Sequence, residues 1–320
     1  MGLHGKWIES EPGDPIRGVA KRALRARMEP MWRFLKLAVR EPRDEVENVH
    51  QLRVYSRRAA AVMEIFADWL PPRRAERMQK HIKRIRKAAG DARDLDVLAA
   101  RAGSRVARLS DNEAVLLARE FEKRRQEAQR PIEQVYEALK GKRFRRKCRS
   151  FIKRVRCRRD QADCDRQFAC LARAELGRLV VPYLESAAAE LTDPQALHAF
   201  RIQGKQVRYA MEVFAGAFDS SFRHDLYPLV ATLQDRLGEI NDYVTSEKHL
   251  ALWREQADSD ALAAALDSLR RLEHESLASA RQAFLVWWTP ERRAELRRGF
   301  ARYVPSESAP QVPPATDLAG

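Results

Sequence analysis

Apolar residues recur every three or four positions along most of this chain, which is the spacing of one face of an α-helix. Segments that alternate apolar and polar residues, as strands do, are absent from the sequence. Gly and Pro are sparse and fall between segments rich in Ala, Leu, Arg, Glu and Gln, which are strong helix formers. The pattern predicts an all-α fold with helices at residues 16–40, 44–70, 73–89, 94–108, 112–140, 142–158, 165–191, 194–217, 222–239, 243–256, 259–288 and 290–302.

An internal repeat organises these helices. The segment VHQLRVYSRRAAAVMEIFADWL (49–70) matches LHAFRIQGKQVRYAMEVFAGAF (197–218) at an offset of 148 residues, and GDARD (90–94) matches GEIND (238–242) at the same offset. A fixed offset over two separate motifs indicates a duplicated unit of several helices. We therefore predict a first half at residues 15–160 and a second half at 161–303, with a flexible N-terminus (1–14) and a disordered tail (304–320).

Basic residues are concentrated in the first half. The 320 residues include 60 Lys and Arg against 45 Asp and Glu, which gives a net charge of +15. Residues 1–160 contain 42 basic and 22 acidic side chains, whereas residues 161–320 contain 18 and 23. Because an excess of one sign repels itself in a compact fold, we expect the first half to carry an anion-binding surface.

Cationic side chains share one side of several predicted helices. On helix 44–70, His50, Arg53 and Arg57 lie within about 60° of one another, and Arg58 lies beside them. Like charges at such spacings destabilise an isolated helix by about 0.2–0.5 kcal/mol per pair, which favours a bound anion. The candidate binding residues are His50, Arg53, Arg57, Arg58, Lys80, Lys83, Arg84 and Lys87 in the first half and His198, Arg201, Lys205 and Arg208 in the second.

Three of these features have a second interpretation. Each histidine could be a structural hydrogen-bonding group instead of an anion contact. Asp94 and Asp242 could cap the next helix or pair with an Arg of the cationic side. The basic segment 142–159 could extend the same site or bind nucleic acid by counterion release.

Cysteine spacing and motif content argue against several other classes. The four cysteines, at positions 148, 157, 164 and 170, form no C-x-x-C pair and have no His at zinc-finger spacing, so we expect reduced thiols, no metal and no cofactor. No segment resembles a signal peptide or a membrane span, which predicts a cytoplasmic protein without membrane contact. No P-loop, catalytic triad or triphosphatase-type alternation of Glu and Lys is present, so we expect no catalytic residues and no enzyme activity.

The runs HQLRVYSRR with GDARDLDVL, and LHAFRIQGKQVRYAMEVF with LQDRLGEINDY, resemble the two halves of a CHAD domain, the conserved histidine α-helical domain. The resemblance extends over residues 16–300. It implies two antiparallel four-helix bundles related by pseudo-two-fold symmetry, with extra connecting helices and a basic channel that binds inorganic polyphosphate. It also implies an association with polyphosphate granules. The binding residues that it implies are His50, Arg53, Arg57 and Arg58, and His198, Arg201, Lys205 and Arg208.

The chain departs from the family pattern in both halves. Positions where relatives often have Lys or Arg are occupied by Ala60, Ala61, Gln203 and Gln206, and segment 222–239 has only Arg223 and Arg236 against the Lys80–Lys87 cluster of the first half. We therefore expect a lopsided site dominated by the first half. Polyphosphate requires closely spaced Lys and Arg, whereas single-stranded nucleic acid also favours aromatic platforms, of which the cationic sides offer only Tyr209. Polyphosphate is the expected partner, and backbone binding of DNA or RNA by the same surface is the alternative.

Overall fold

The computed structural model describes residues 5–40, 45–141, 143–156, 167–189 and 191–304. Within these ranges the chain forms ten α-helices and no strand, apart from one isolated bridge between Pro15 and Gln167, so the all-α prediction is confirmed. The helices are α1 (Ile16–Arg40), α2 (Glu45–Ile65), α3 (Pro72–Gly103), α4 (Asp111–Gly141), α5 (Phe144–Lys153), α6 (Phe168–Ala188), α7 (Pro194–Phe214), α8 (Tyr227–Glu255), α9 (Asp260–Trp287) and α10 (Pro290–Ala301).

Helices α3 and α8 are each longer than the sequence predicts. The predicted breaks at residues 90–93 and 240–242 are wrong, because both stretches lie inside continuous helices, as do Gly90 and Gly238. A glycine in a helix interior costs about 1 kcal/mol relative to alanine, and burial of apolar side chains on both sides of it, such as Ile85 and Leu95 in α3, outweighs that cost. The same continuity excludes a capping role for Asp94 and Asp242, which both lie far from a helix start.

The predicted helices 44–70 and 142–158 are shorter in the structure. Segment 44–70 leaves α-helical geometry after Ile65 and continues as the 3-10 turn Ala67–Trp69, just before two prolines that cannot continue a helix. Among its described residues, segment 142–158 is α-helical over α5, and residues 142, 157 and 158 lie outside the described ranges.

The bounds of the elements repeat at the offset found in the sequence. The 3-10 turns Ala67–Trp69 and Ala215–Ala217 lie 148 residues apart. In the first half α1 packs on α2, α2 on α3 and α3 on α4, and in the second half α6 packs on α7, α7 on α8 and α8 on α9. Between the halves, α2 contacts α7, α3 contacts α8 and α4 contacts α9, so each contact joins equivalent helices. The pseudo-two-fold arrangement of two bundles stays a prediction, with which these contacts agree.

One hydrophobic cluster runs through both halves and includes the N-terminal segment. The expectation of a flexible segment 1–14 stays a prediction; in the structure Ile8 is 2% exposed, and its N–H donates to the carbonyl of Glu212 at 3.1 Å. Val304 packs against the cluster, and the rest of the predicted tail lies outside the described residues. No described helix is both long and apolar enough to cross a membrane.

Candidate anion-binding site

Two adjoining cavities lie where α2 and α7 pack together. The first, called the basic cavity here, has a volume of about 640 Å³ and is lined by α2, α3, α6 and α7. The second, called the mixed cavity, has a volume of about 480 Å³ and is lined by α2, α3, α7 and α8. Four cationic residues line both cavities and form what we call the waist: Arg53, Arg57, Arg201 and Lys205.

The two cavities differ in charge beyond the waist. Cations outnumber carboxylates in the basic cavity, which adds Lys83, Arg86, Lys87 and Arg178 against Glu64 and Asp91. Carboxylates outnumber the charged cations that the mixed cavity adds, since Arg93, Arg101 and Arg208 stand against Asp94, Asp235, Glu239 and Asp242, and His50 adds an imidazole. An anion therefore meets the more favourable charge in the basic cavity.

Helix α3 holds Arg53 in place at the waist. The Nη2 atom of Arg53 lies 3.1 Å from Oδ1 of Asp94 on α3, so the interpretation that Asp94 pairs with an arginine is confirmed. Gly90 leaves room for this guanidinium, because a Cβ at position 90 would lie 3.2 Å from Arg53 Nη1. Burial lowers the pKa of Arg53, and the negative charge of Asp94 opposes that shift.

Helix α7 supplies two cations that are largely withdrawn from solvent. Arg201 is 7% exposed, and its Nε has no hydrogen-bond partner among the described residues. Burial, reinforced by the charge of Arg57, lowers the pKa of Arg201 to about 10 and that of Lys205 to about 6. Within the described ranges, none of Arg57, Arg201 and Lys205 has a carboxylate at ion-pair distance. The positive charges of Arg57 and Arg201 therefore lie close together and favour the neutral form of Lys205, and the more distant Asp242 only partly offsets them.

His50 lies at the edge of the site, where it lines the mixed cavity. Burial lowers its pKa, and the nearby charge of Arg93 adds to the effect. The imidazole is therefore favoured in its neutral form until an anion approaches.

Arg58 is placed differently from the expectation, since it lines neither cavity. It reaches Glu212 of α7, with Nε 2.7 Å from Oε2, and Nη2 donates to Oε1 at 2.9 Å. Glu212 is 1% exposed and also accepts a hydrogen bond from Tyr227 Oη at 3.0 Å, while Arg27 Nη2 lies 3.8 Å from Oε2. Arg58 thus belongs to a buried ion cluster that joins the halves and the N-terminal segment.

Three further candidates also lie outside both cavities. Lys80 is exposed and pairs with Glu76 one turn earlier, at 2.6 Å. Arg84 and His198 are exposed at the surface. The remaining candidates, Lys83, Lys87 and Arg208 together with His50 and the waist, line one cavity or both.

Sequence reasoning missed four cavity cations: Arg86, Arg93, Arg101 and Arg178. A signal existed for Arg86, because Lys83, Arg86, Lys87 and Gly90 form an i, i+3, i+4, i+7 set. The prediction used the set Lys80, Lys83, Arg84 and Lys87 instead, whose centre is rotated around the helix axis away from Arg86. No pattern marked Arg178, since only packing brings α6 to this cavity.

The basic segment 142–159 does not contribute to the cavities through its described residues. Its helix α5 packs on α1 and α4 with Phe144, Cys148, Phe151 and Ile152 buried. Among the described residues, no group of three or more His, Cys, Asp or Glu is arranged to hold a metal ion.

Comparisons with known proteins agree on one architecture. The family model described as CHAD domain matches residues 22–251. The crystal structure of the CHAD domain from the plant Ricinus communis aligns with a TM-score of 0.65 at 22% identity, covering 93% of this chain and 96% of that one. PptA from Streptomyces chartreusis aligns with a TM-score of 0.61 at 20% identity, covering 86% and 99% of the two chains. No curated protein matches the sequence.

Proposed function

This chain belongs to the CHAD domain family, and we propose that it binds inorganic polyphosphate at the waist and in the basic cavity. The observation that carries the proposal is the convergence of Arg57, Arg201 and Lys205 without a carboxylate partner in the described protein. A buried charge costs several kcal/mol unless it is paired, so the arrangement is more stable with an anion among these groups.

The chemistry of the waist suits a chain of phosphates. The guanidinium groups of Arg57 and Arg201 offer forked donors that match phosphate oxygens, and Lys205 adds a compact point charge. Along α3, Lys83 and Lys87 lie one turn apart, about 6 Å along the helix axis, and Arg86 lies between them. They extend the row of positive charge outward from the waist into solvent.

Nucleic acid is the second candidate, and the aromatic content of the site disfavours it. Among the described residues that line the basic cavity, Tyr209 is the one aromatic residue, and it is only 9% exposed. Single strands gain much of their affinity by stacking bases on exposed aromatic rings. The half-buried waist also lies in a recess, whereas non-specific duplex binding uses cations spread over an open surface. We propose that the protein binds polyphosphate without hydrolysing it and that it associates with polyphosphate granules in the cell.

The test is a titration of polyphosphate, single-stranded DNA and RNA at several salt concentrations. We expect polyphosphate to bind at least tenfold more tightly per charge than either nucleic acid at about 0.15 M salt, where long-range attraction is screened within about 8 Å. Arg57→Glu should weaken polyphosphate binding at least tenfold, because a charged hydrogen bond contributes about 1.5–3 kcal/mol. It should also reduce the slope of log affinity against log salt by about one.

The matched control is Arg270→Glu, the same charge change at an exposed arginine of α9 that lines neither cavity. We expect its affinity to stay within about twofold of the parent protein, because surface charges beyond a Debye length are screened. Equal losses in the two variants would show general charge attraction instead of a site. Tighter binding of nucleic acid than of polyphosphate would replace the proposal with its alternative.

A further inference from the structure

Several pairs of equivalent positions in the repeat have one member in each cavity, and two of these pairs differ in charge. At the offset of 148 residues, Lys87 corresponds to Asp235 and Arg86 corresponds to Gln234. Arg86 and Lys87 line the basic cavity, whereas Gln234 and Asp235 line the mixed cavity. Positive side chains on the basic side of the waist therefore correspond to acidic or neutral side chains on its mixed side.

Ion pairing within the protein sharpens this difference. In the mixed cavity, Arg208 Nη1 lies 3.3 Å from Oδ1 of Asp235, and Arg101 Nη2 lies 2.8 Å from Oε2 of the buried Glu273. In the basic cavity, by contrast, Lys83, Arg86 and Lys87 have no ion pair among the described residues. The cations that remain available to a ligand therefore lie mainly at the waist and on its basic side, with Arg93 as the exception on the mixed side.

This polarity disfavours a phosphate chain that passes through both cavities. Beyond the waist, its phosphates would face Asp235, Glu239 and Asp242 of α8, where Arg208 and Arg101 are already engaged in ion pairs with Asp235 and Glu273. A chain that stops at the waist avoids that repulsion. Its last phosphate also carries more charge than an internal one, up to about two negative charges against one, because it keeps a second ionisable oxygen.

We propose that the site binds the end of a polyphosphate chain, with the terminal phosphate among Arg57, Arg201 and Lys205 and the chain leaving through the basic cavity along Lys83 and Lys87. The inference rests on the proposed function and specifies which part of the ligand is recognised. Asp235 acts in it as the residue that closes the mixed side to a continuing chain.

The experiment compares long polyphosphate with the same polymer whose two terminal phosphates have been converted to phosphoramidates of a neutral amine. End binding predicts at least a tenfold loss of affinity on capping, at about 0.15 M salt to limit binding along the chain. It also predicts no more than two proteins per uncapped chain at any chain length, because a linear chain has two ends. Sedimentation and calorimetric titration across a series of lengths measure this ratio.

A charge variant tests the stated cause. Asp235→Lys introduces on the mixed side the lysine that occupies the equivalent position 87 on the basic side. The Asp235 side chain is 76% exposed, so the fold should tolerate the change. We expect this variant to bind capped chains at least fivefold more tightly than the parent protein does. Glu255→Lys is the control, since it makes the same charge change at an exposed position on α8 that lines neither cavity, and it should leave capped chains weakly bound.

Equal affinity for capped and uncapped chains, with a protein-to-chain ratio that grows with length, would overturn end binding and leave the proposed function intact. Equal improvement by Asp235→Lys and Glu255→Lys would overturn the role given to Asp235. Failure of both polymers to bind would refute the proposed function itself, and end binding with it.

Discussion

Lys205→Met should make the ligand-free protein more stable and polyphosphate binding weaker. Lys205 is half-buried beside Arg57 and Arg201, and desolvation lowers its pKa from 10.5 to about 6. At pH 7 its amine is therefore mostly neutral in the folded protein and charged in the unfolded chain. Folding must release that proton, which costs about 1.4 kcal/mol for each pH unit below the ordinary pKa. Methionine has a similar volume and carries no such cost.

The magnitude follows from these two pKa values. Between pH 7 and the ordinary pKa of lysine the cost amounts to about 3–5 kcal/mol, so the variant should exceed the parent protein by that much in free energy of unfolding at pH 7. The unfolded state binds more protons than the folded state between pH 6 and 10.5, so the stability of the parent protein rises with pH across this window. The advantage of the variant should therefore shrink by about 1.4 kcal/mol per pH unit and disappear near pH 10.5.

Urea unfolding of both proteins at pH 7, 8 and 9 measures this difference, since other titrating groups contribute equally to each. Anion binding restores the charged form of Lys205, so the parent protein should take up a proton on binding and lose about 10- to 50-fold in affinity from pH 6 to pH 8. Calorimetry in buffers of different ionisation enthalpy counts that proton, and the variant should take up less. A variant that is less stable than the parent at pH 7, or a stability difference that does not change with pH, would refute the reasoning.

Two further changes test the framework that positions the waist. Glu212→Ala should lower the free energy of unfolding by about 3–5 kcal/mol in urea, because it leaves the buried Arg27 and the half-buried Arg58 without their carboxylate. Glu64→Ala, at the equivalent and exposed position, should change it by no more than about 0.5 kcal/mol. Gly204→Ala should lower the melting temperature, at a cost of about 1–3 kcal/mol, because its Cβ would overlap Gln234 and lie 2.9 Å from the Tyr183 ring. Gly238→Ala meets nothing within 4 Å and should stabilise α8 by up to about 1 kcal/mol, so equal effects at the two glycines would contradict this account.

The sequence by itself determined the helical class, the repeat and the identity of several waist residues. Helical spacing of apolar residues placed α1 correctly from Ile16 to Arg40, because its apolar face repeats over the whole segment. The fixed offset paired Arg53 with Arg201 and Arg57 with Lys205, and the structure brings these four side chains to one place. Such local and periodic signals are readable because they depend only on the spacing of residues along a helix.

Only the tertiary structure decided which cations face the ligand space and which are already neutralised. Arg58 and Arg57 are neighbours on one helix, yet Arg58 turns to the buried Glu212 and Arg57 lines both cavities. Arg178 joins the basic cavity from α6 with no sequence signal, and α3 runs unbroken through Gly90 because packing outweighs local propensity. Helical spacing fixes the face of the helix on which a residue lies, but a long Arg or Lys side chain can still reach several different neighbours. Which neighbour it pairs with depends on the side chains of the helix packed against it, and residue spacing does not encode those.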